Sequence, residues 1–293
     1  DIHKSLKKSC LLIGMVVGAG FASGREITDY FLLYGERWKT GIAVSGALFF
    51  VYTFAASYII GKNSIKSYGG YLDTIMGKRL AMFTEYISGI FFAAMFYAML
   101  SATGAVAEEM LSMPYIYGVI IMAAASAVII TGGMRAMEYI SIIIVPILIA
   151  GICFIGAKSE PKIYIGGNGG SVVLSAVIYV SYNTITAAAI MVKEEKAGKA
   201  NGIITGILCA AAMTAMGYMI GSTILSFENA YKSELPLAAA ANIKYGNMLL
   251  YGAVFIAAVL TTAVCNGSAA ADFIVEKTGI NKNVVVILLC AVS

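Results

Sequence analysis

Residues Ile13–Ile27 form an apolar run of helical length, interrupted by Gly18, Gly20 and Gly24 and closed by the adjacent charges Arg25 and Glu26. Hydrocarbon offers no water to loose backbone groups, so a spanning helix unwinds only against protein or a polar cavity. A buried arginine near the bilayer midplane costs roughly 3 kcal/mol even on insertion-based scales. A binding site at a discontinuous helix accounts for both features. A glycine-mediated helix contact is the plainer alternative.

The rest of the chain supplies the membrane. Of 293 residues, 60% are hydrophobic and only 12% charged, with a mean hydropathy of +0.85; this composition lies far from that of soluble domains. Apolar runs predict spans at 5–34, 38–61, 79–111, 114–132, 136–156, 170–195, 199–227 and 246–278. A last apolar run begins near Val284 and reaches only Ser293, about half a bilayer crossing, so the sequence is expected to end within a ninth helix. Lysines and arginines at 4, 7, 8, 62, 66, 78, 79, 135, 193, 196, 199, 277 and 282 fall on one side of this arrangement. The opposite side carries only 37, 39, 158, 162, 232 and 244. The positive-inside bias then places the N-terminus in the cytoplasm of a multi-pass protein of a prokaryotic cell membrane. Cys10, Cys153, Cys209, Cys265 and Cys290 scatter through the spans without metal-ligand spacing, and read as small buried residues.

The two halves of the chain repeat one another. Spans one and six are both expected to break, at Gly18–Gly24 and at Val180–Thr184, and spans three and eight are both unusually long. A shift of about 165 residues sets Gly18 near Asn183, and residue 114 near 279, where the ninth span begins. Five helices is an odd number, so the second copy crosses the membrane inverted, as in many transporters. The expected units are residues 1–160, with five spans, and 161–293, with three spans and the start of a fourth.

Gly18 to Ile27, followed by Tyr30, Phe31, Tyr34 and Gly35, resembles the opening signature of the YkvI family of bacterial membrane transporters, and Val177–Asn183 resembles its sixth helix. The resemblance covers nearly the whole chain. It implies a branch of the amino acid–polyamine–organocation (APC) superfamily and an all-α, five-plus-five inverted-repeat fold of the leucine-transporter (LeuT) type, with helices one and six broken. It names no substrate.

Within the first break, Gly18, Ala19, Gly20, Phe21, Ala22 and Ser23 are the candidate substrate contacts. The outer half-helix is expected to begin near Ser23 or Gly24, its N–H groups favouring a carboxylate. Tyr179, Ser181, Tyr182, Asn183 and Thr184 form the densest polar cluster of any span, and Tyr97 at the middle of span three is a further lining candidate. Back-bonding of Ser and Thr to their own helix, or Asn acting as interhelical glue, would explain the same cluster without a ligand. Arg25 and Glu26 are gate candidates; as sequence neighbours on a helix they seek separate partners. Thr261 and Thr262, facing the carbonyls of Val16 and Val17, resemble a superfamily sodium site. Proton coupling through Glu85, Glu108, Glu109 or Asp272 is the other option. Residues 228–244 predict a short external helix with Pro236 in its first turn; the resemblance implies an extracellular lid.

Other classes lack their chemistry. A serine protease needs a base beside its nucleophile, and the one histidine, His3, precedes the first span. No metal-binding cluster, phosphate-binding glycine loop or repeated pore filter is evident, and nothing in the charge pattern suggests nucleic acid. The expectation is therefore a secondary active transporter and not an enzyme. It moves an amino acid or related small zwitterion or amine by alternating access, without a cofactor beyond a coupling sodium ion or proton. A non-transporting sensor built on the same fold is the alternative.

Overall fold

Glycine decides where the first span breaks. In the computed structural model, which describes residues 2–167, 169–193, 199–246 and 249–292, span one is three helices: α1 (Ile2–Val16), α2 (Ala19–Ser23) and α3 (Arg25–Tyr30). Gly18 is extended (φ −90°, ψ −164°), and Gly24 is left-handed with φ 79°. Residues with a Cβ rarely adopt the latter conformation. The unwound stretch is thus Val17–Gly18 and not the whole of Gly18–Ser23, and the outer half-helix starts at Ala19 instead of near Ser23 or Gly24. Ser23 caps the second turn point, accepting from the Arg25 N–H at 3.2 Å.

The remaining elements follow as α4 (Trp38–Asn63), α5 (Tyr68–Met76), α6 (Lys78–Leu111), α7 (Tyr115–Thr131) and α8 (Gly133–Gly156). The second half contains α9 (Val172–Met191), α10 (Lys199–Leu225), α11 (Pro236–Tyr245), α12 (Leu249–Thr278) and α13 (Lys282–Ala291). Among the described residues, six helices are long and apolar enough to cross a membrane. The sequence-based end of span six, at 195, lies outside the described residues. Helix α5 lies between the spans read from the sequence at 38–61 and 79–111. It starts where the Ser67 hydroxyl accepts from the Gly70 N–H, and stops at Gly77, whose φ is 78°. Pro236 takes the first turn of α11, as its missing N–H allows.

Span six corrects the expectation of a second break. Helix α9 runs unbroken from Val172 to Met191. It contains no glycine or proline, and three polar side chains of the expected break bond back to their own helix. Ser181 donates to the Val177 carbonyl at 2.7 Å, Asn183 to Tyr179 at 2.9 Å and Thr184 to Ser181 at 2.9 Å. Polar density alone does not unwind a helix when each group is satisfied within one turn.

Packing between spans is matched across the two halves. Helix α4 packs on α10 and α6 on α12, joining equivalent members. The α1–α10 contact is mirrored by α4–α9, and α6–α7 by α12–α13. Close approach relies on missing side chains: a Cβ on Gly46 of α4 would stand 2.0 Å from Thr214 Oγ1 of α10, and one on Gly89 of α6 would stand 2.4 Å from the Phe273 ring of α12.

Candidate functional site

The break in span one faces α6, α9 and α12 across a small polar hollow. Met15, Val16, Gly18 and Ala19 line it from the break and Glu26 from α3. Tyr182, Asn183 and Thr186 come from α9, and Thr262 and Asn266 from α12, while Phe91, Met95 and Met99 form an apolar wall from α6. The volume is about 20 Å³, room for roughly one water molecule. Thr186 donates to Asn266 Oδ1 at 2.9 Å, clamping α9 to α12 across the hollow, and Asn266 in turn donates to the Thr262 carbonyl at 3.0 Å.

Of the expected substrate contacts, Gly18, Ala19, Tyr182 and Asn183 line this hollow. Gly20 lies against Glu26. Phe21, Ala22 and Ser23 are buried in the core, and Ser23 donates its hydroxyl to the Gly20 carbonyl at 2.9 Å. Tyr179 is buried within an aromatic cluster with Tyr30, Phe31, Phe49 and Tyr182, at ring separations of 5.2–6.1 Å. Ser181 is exposed on the outer face of α9. Thr184 points to the α1–α4 side, where its carbonyl accepts from the Tyr52 hydroxyl at 2.8 Å. Tyr97 is half-buried beside Phe96 and is not among the hollow's lining residues. The helical twist explains the division: on an unbroken α9 only positions 179, 182, 183 and 186 share the inward face.

Arg25 and Glu26 separate, as neighbouring residues on a helix should. Arg25 turns outward to pair with Asp29 at 2.9 Å, both side chains exposed. Glu26 turns inward. Its carboxyl folds over Gly20, in the first turn of the outer half-helix, where a Cβ would be 2.2 Å from Glu26 Oε1. Tyr182 lines the same wall as this carboxyl, and Glu26 Oε2 is buried without a hydrogen-bond partner. The sequence made Glu26 a gate candidate beside Arg25; in the structure it stands on the wall of the central hollow.

The threonines of α12 also meet helix one, though two residues deeper than expected. Thr261 donates to the Gly14 carbonyl at 2.7 Å, and Thr262 lies 2.9 Å from the Gly14 and 3.0 Å from the Met15 carbonyl oxygens. Val16 and Val17 do not supply these contacts; the Val16 carbonyl accepts from the Gly18 N–H at 2.9 Å. The donors are hard oxygens of the kind a small cation prefers. They are already committed to one another, and neither threonine hydroxyl is orphaned.

The other carboxylates considered for proton coupling are engaged or exposed. Glu85 pairs with Lys277 at 2.7 Å. Asp272 is held between Lys193 and Lys282, beside a vestibule of about 140 Å³ on the face that carries the α4–α5 connection. Glu108 and Glu109 are exposed near the far end of α6. On the opposite face, α11 seats Leu237 against Gly24, and Lys244 anchors it to the end of α8, donating to Ile155 O and Ser159 Oγ at 2.9 Å.

Comparison with known proteins supports this geometry. The chain is 26% identical over 268 residues to the uncharacterized membrane protein YkvI of Bacillus subtilis (strain 168), covering 87% of this chain and 76% of that one. The uncharacterized protein YyaD of the same organism is 24% identical over 274 residues, covering 88% and 78%. No family model matches. Among solved structures, MhsT in complex with L-phenylalanine superposes with a TM-score of 0.69 at 14% identity, over 98% of this chain and 77% of that one. Mhp1, a nucleobase-cation-symport-1 family transporter in a closed conformation with bromovinylhydantoin bound, gives 0.66 at 14% identity, over 98% and 70%. Both have the LeuT fold, and so does this membrane protein.

Proposed function

We propose that the protein is a secondary active transporter that moves a small amino acid, zwitterion or amine by alternating access, as a member of the APC superfamily. The observation that carries this reading is the break at Val17–Gly18 opening directly onto Tyr182, Asn183, Thr186, Thr262 and Asn266. In a lipid-spanning helix, free peptide groups are tolerated where they meet protein or a solute cavity. The substrate seat is the hollow, with Gly18 and Ala19 on one side and Tyr182 and Asn183 on the other. The apolar wall of Met95 and Met99 adapts its volume, since methionine is flexible and polarisable. Helix α11 acts as the lid on the face opposite the N-terminus, which faces the cytoplasm of a prokaryotic cell.

The family name of Mhp1, nucleobase-cation-symport-1, suggests coupling to a cation, sodium or a proton. Counterflow tests the carrier itself. Proteoliposomes preloaded with unlabelled solute accumulate labelled solute transiently if the protein exchanges it across the membrane. A panel of amino acids and amines, chosen from a thermal-shift screen with and without sodium, supplies the probes. Stabilisation by a solute without counterflow of that solute would indicate a sensor and refute transport.

A further inference from the structure

We propose that Glu26 is the cation seat of the central hollow, holding a proton when the hollow is empty and exchanging it for the ammonium group of the substrate. This deepens the carrier reading and rests on it for the transport step. The argument begins with charge. Among the described residues, Glu26 is the one carboxyl on the hollow's wall, and no lysine, arginine or histidine lines it. One carboxyl oxygen, Oε2, is buried without a hydrogen-bond partner, and the Tyr182 side chain stands on the same wall. A buried carboxylate with one unsatisfied oxygen and no counter-charge is costly. The closed hollow has room for about one water, which leaves a proton as the compensating charge.

Groups around Glu26 provide no substitute. On its own helix, Arg25 is committed to Asp29, and Asp29 and Tyr30 bring no positive charge. Helix α9 presents two phenols, Tyr179 and Tyr182. Helix α10 presents Ile220 and Ile224 at Gly24, and α11 presents Leu237. The 3-10 turn at 32–37 carries Glu36 and Arg37 at the exposed surface. From α6 and α12 come only methionine, phenylalanine, threonine and asparagine.

Position indicates which part of a substrate belongs here. Glu26 lies against Gly20, in the outer half-helix where the sequence suggested a substrate carboxylate. A second carboxylate there would meet like charge, whereas an ammonium would find Oε2 free to accept. The exchange balances: the carboxyl O–H bond breaks, its proton passes to water, and the carboxylate pairs with the arriving ammonium. On release at the other face the ammonium leaves and the carboxylate takes a proton from water. No oxidant or other co-reactant is required.

The test uses dicyclohexylcarbodiimide, which adds to protonated carboxyl groups in apolar surroundings, with n-butylammonium as the competing cation. The full chain in liposomes is labelled across a pH series, and modification of the peptide containing Glu26 is read by mass spectrometry. Labelling of Glu26 is expected to fall as pH rises and to be slowed at least fivefold by n-butylammonium. On the alkaline side, proton competition no longer raises the concentration needed; on the acid side that concentration rises about tenfold per pH unit. Glu26→Gln removes the labelled position. Tyr182→Phe keeps it and checks the fold should Glu26→Gln fail to insert; its label is still protected by n-butylammonium. Labelling insensitive to n-butylammonium, or protection by sodium chloride equal to that by n-butylammonium chloride, overturns the proposal. Protection at Glu26 combined with absent counterflow of every protecting amine overturns the carrier reading while leaving the exchange site intact.

Discussion

Adding one methyl group at Gly20 tests whether the carboxyl of Glu26 is seated where the structure sets it. In Gly20→Ala the new Cβ would stand 2.2 Å from Oε1, 2.7 Å from Cδ and 2.8 Å from Cγ of Glu26. Ordinary contact begins near 3.4 Å, so the carboxyl has to retreat by about 1 Å. Overpacking of this kind costs about 2 kcal/mol. Against this, alanine favours a helix over glycine by up to about 1 kcal/mol. The net loss is about 1 kcal/mol. For a chain of this length that corresponds to a fall of roughly 2 °C in detergent unfolding temperature.

The sharper reading is the double-mutant cycle with Glu26→Ala. Once the carboxyl is gone, Gly20→Ala loses its clash, and only the helical gain survives. The same substitution should then raise the unfolding temperature by roughly 2 °C, giving a coupling of about 2 kcal/mol between the two positions. Circular dichroism or intrinsic fluorescence melts of the four proteins supply the numbers. An equal change in both backgrounds would refute the seat of Glu26 over Gly20.

Three further outcomes are expected. Thr262→Val removes a donor from the Gly14 and Met15 carbonyls and should cost about 1 kcal/mol in a thermal melt. The loss should be the same with and without sodium; a sodium-dependent difference would reveal a cation site between α1 and α12. Asp272→Asn leaves the ammonium groups of Lys193 and Lys282 together beside Ser268. Each partly exposed pair is worth at most about 1 kcal/mol, so maleimide labelling of buried Cys265 should rise about fivefold; unchanged labelling would show that this cluster does not hold the face shut. Lys244→Met frees α11 from the end of α8, and hydrogen exchange of residues 236–245 should accelerate while α8 itself stays protected.

Much of the architecture was legible because it depends on length, hydropathy and glycine. The first span's break, the long third and eighth helices and the Pro236 helix all have local chemical causes, and each is present. The sequence misled where a side chain had two ways to satisfy itself. Ser181, Asn183 and Thr184 look like an unwound stretch, yet each bonds within its own helix. Helix α5 was hidden because nine residues next to a membrane face carry no span-length signal. Glu26 was the hardest residue to place. Which of two adjacent charges turns inward depends on the left-handed kink at Gly24, which re-aims α3 relative to α2. A hydropathy pattern contains no information about that rotation.

The unequal chemistry of the two opening helices bears on selectivity. In the first repeat, glycine makes backbone available at Val17–Gly18; in the second, an intact α9 offers only side chains, Tyr182, Asn183 and Thr186. The anion-binding potential of the hollow is correspondingly thin: its outer half-helix α2 is five residues long, too short to sum peptide dipoles appreciably, and the protein's own carboxyl lies against it. A zwitterion would have to direct its ammonium to Glu26 and its carboxylate away, toward the Asn183 and Asn266 amides. Each amide gives one of its two N–H donors to its own helix and carries no charge, so a carboxylate would arrive without a charged donor. A solute carrying an ammonium and a modest apolar tail meets neither obstacle, since Met95 and Met99 can accommodate the tail. On this reading amines should outcompete the amino acids of the same carbon skeleton in binding. An amino acid protecting Glu26 from carbodiimide better than its decarboxylated counterpart would reverse the argument.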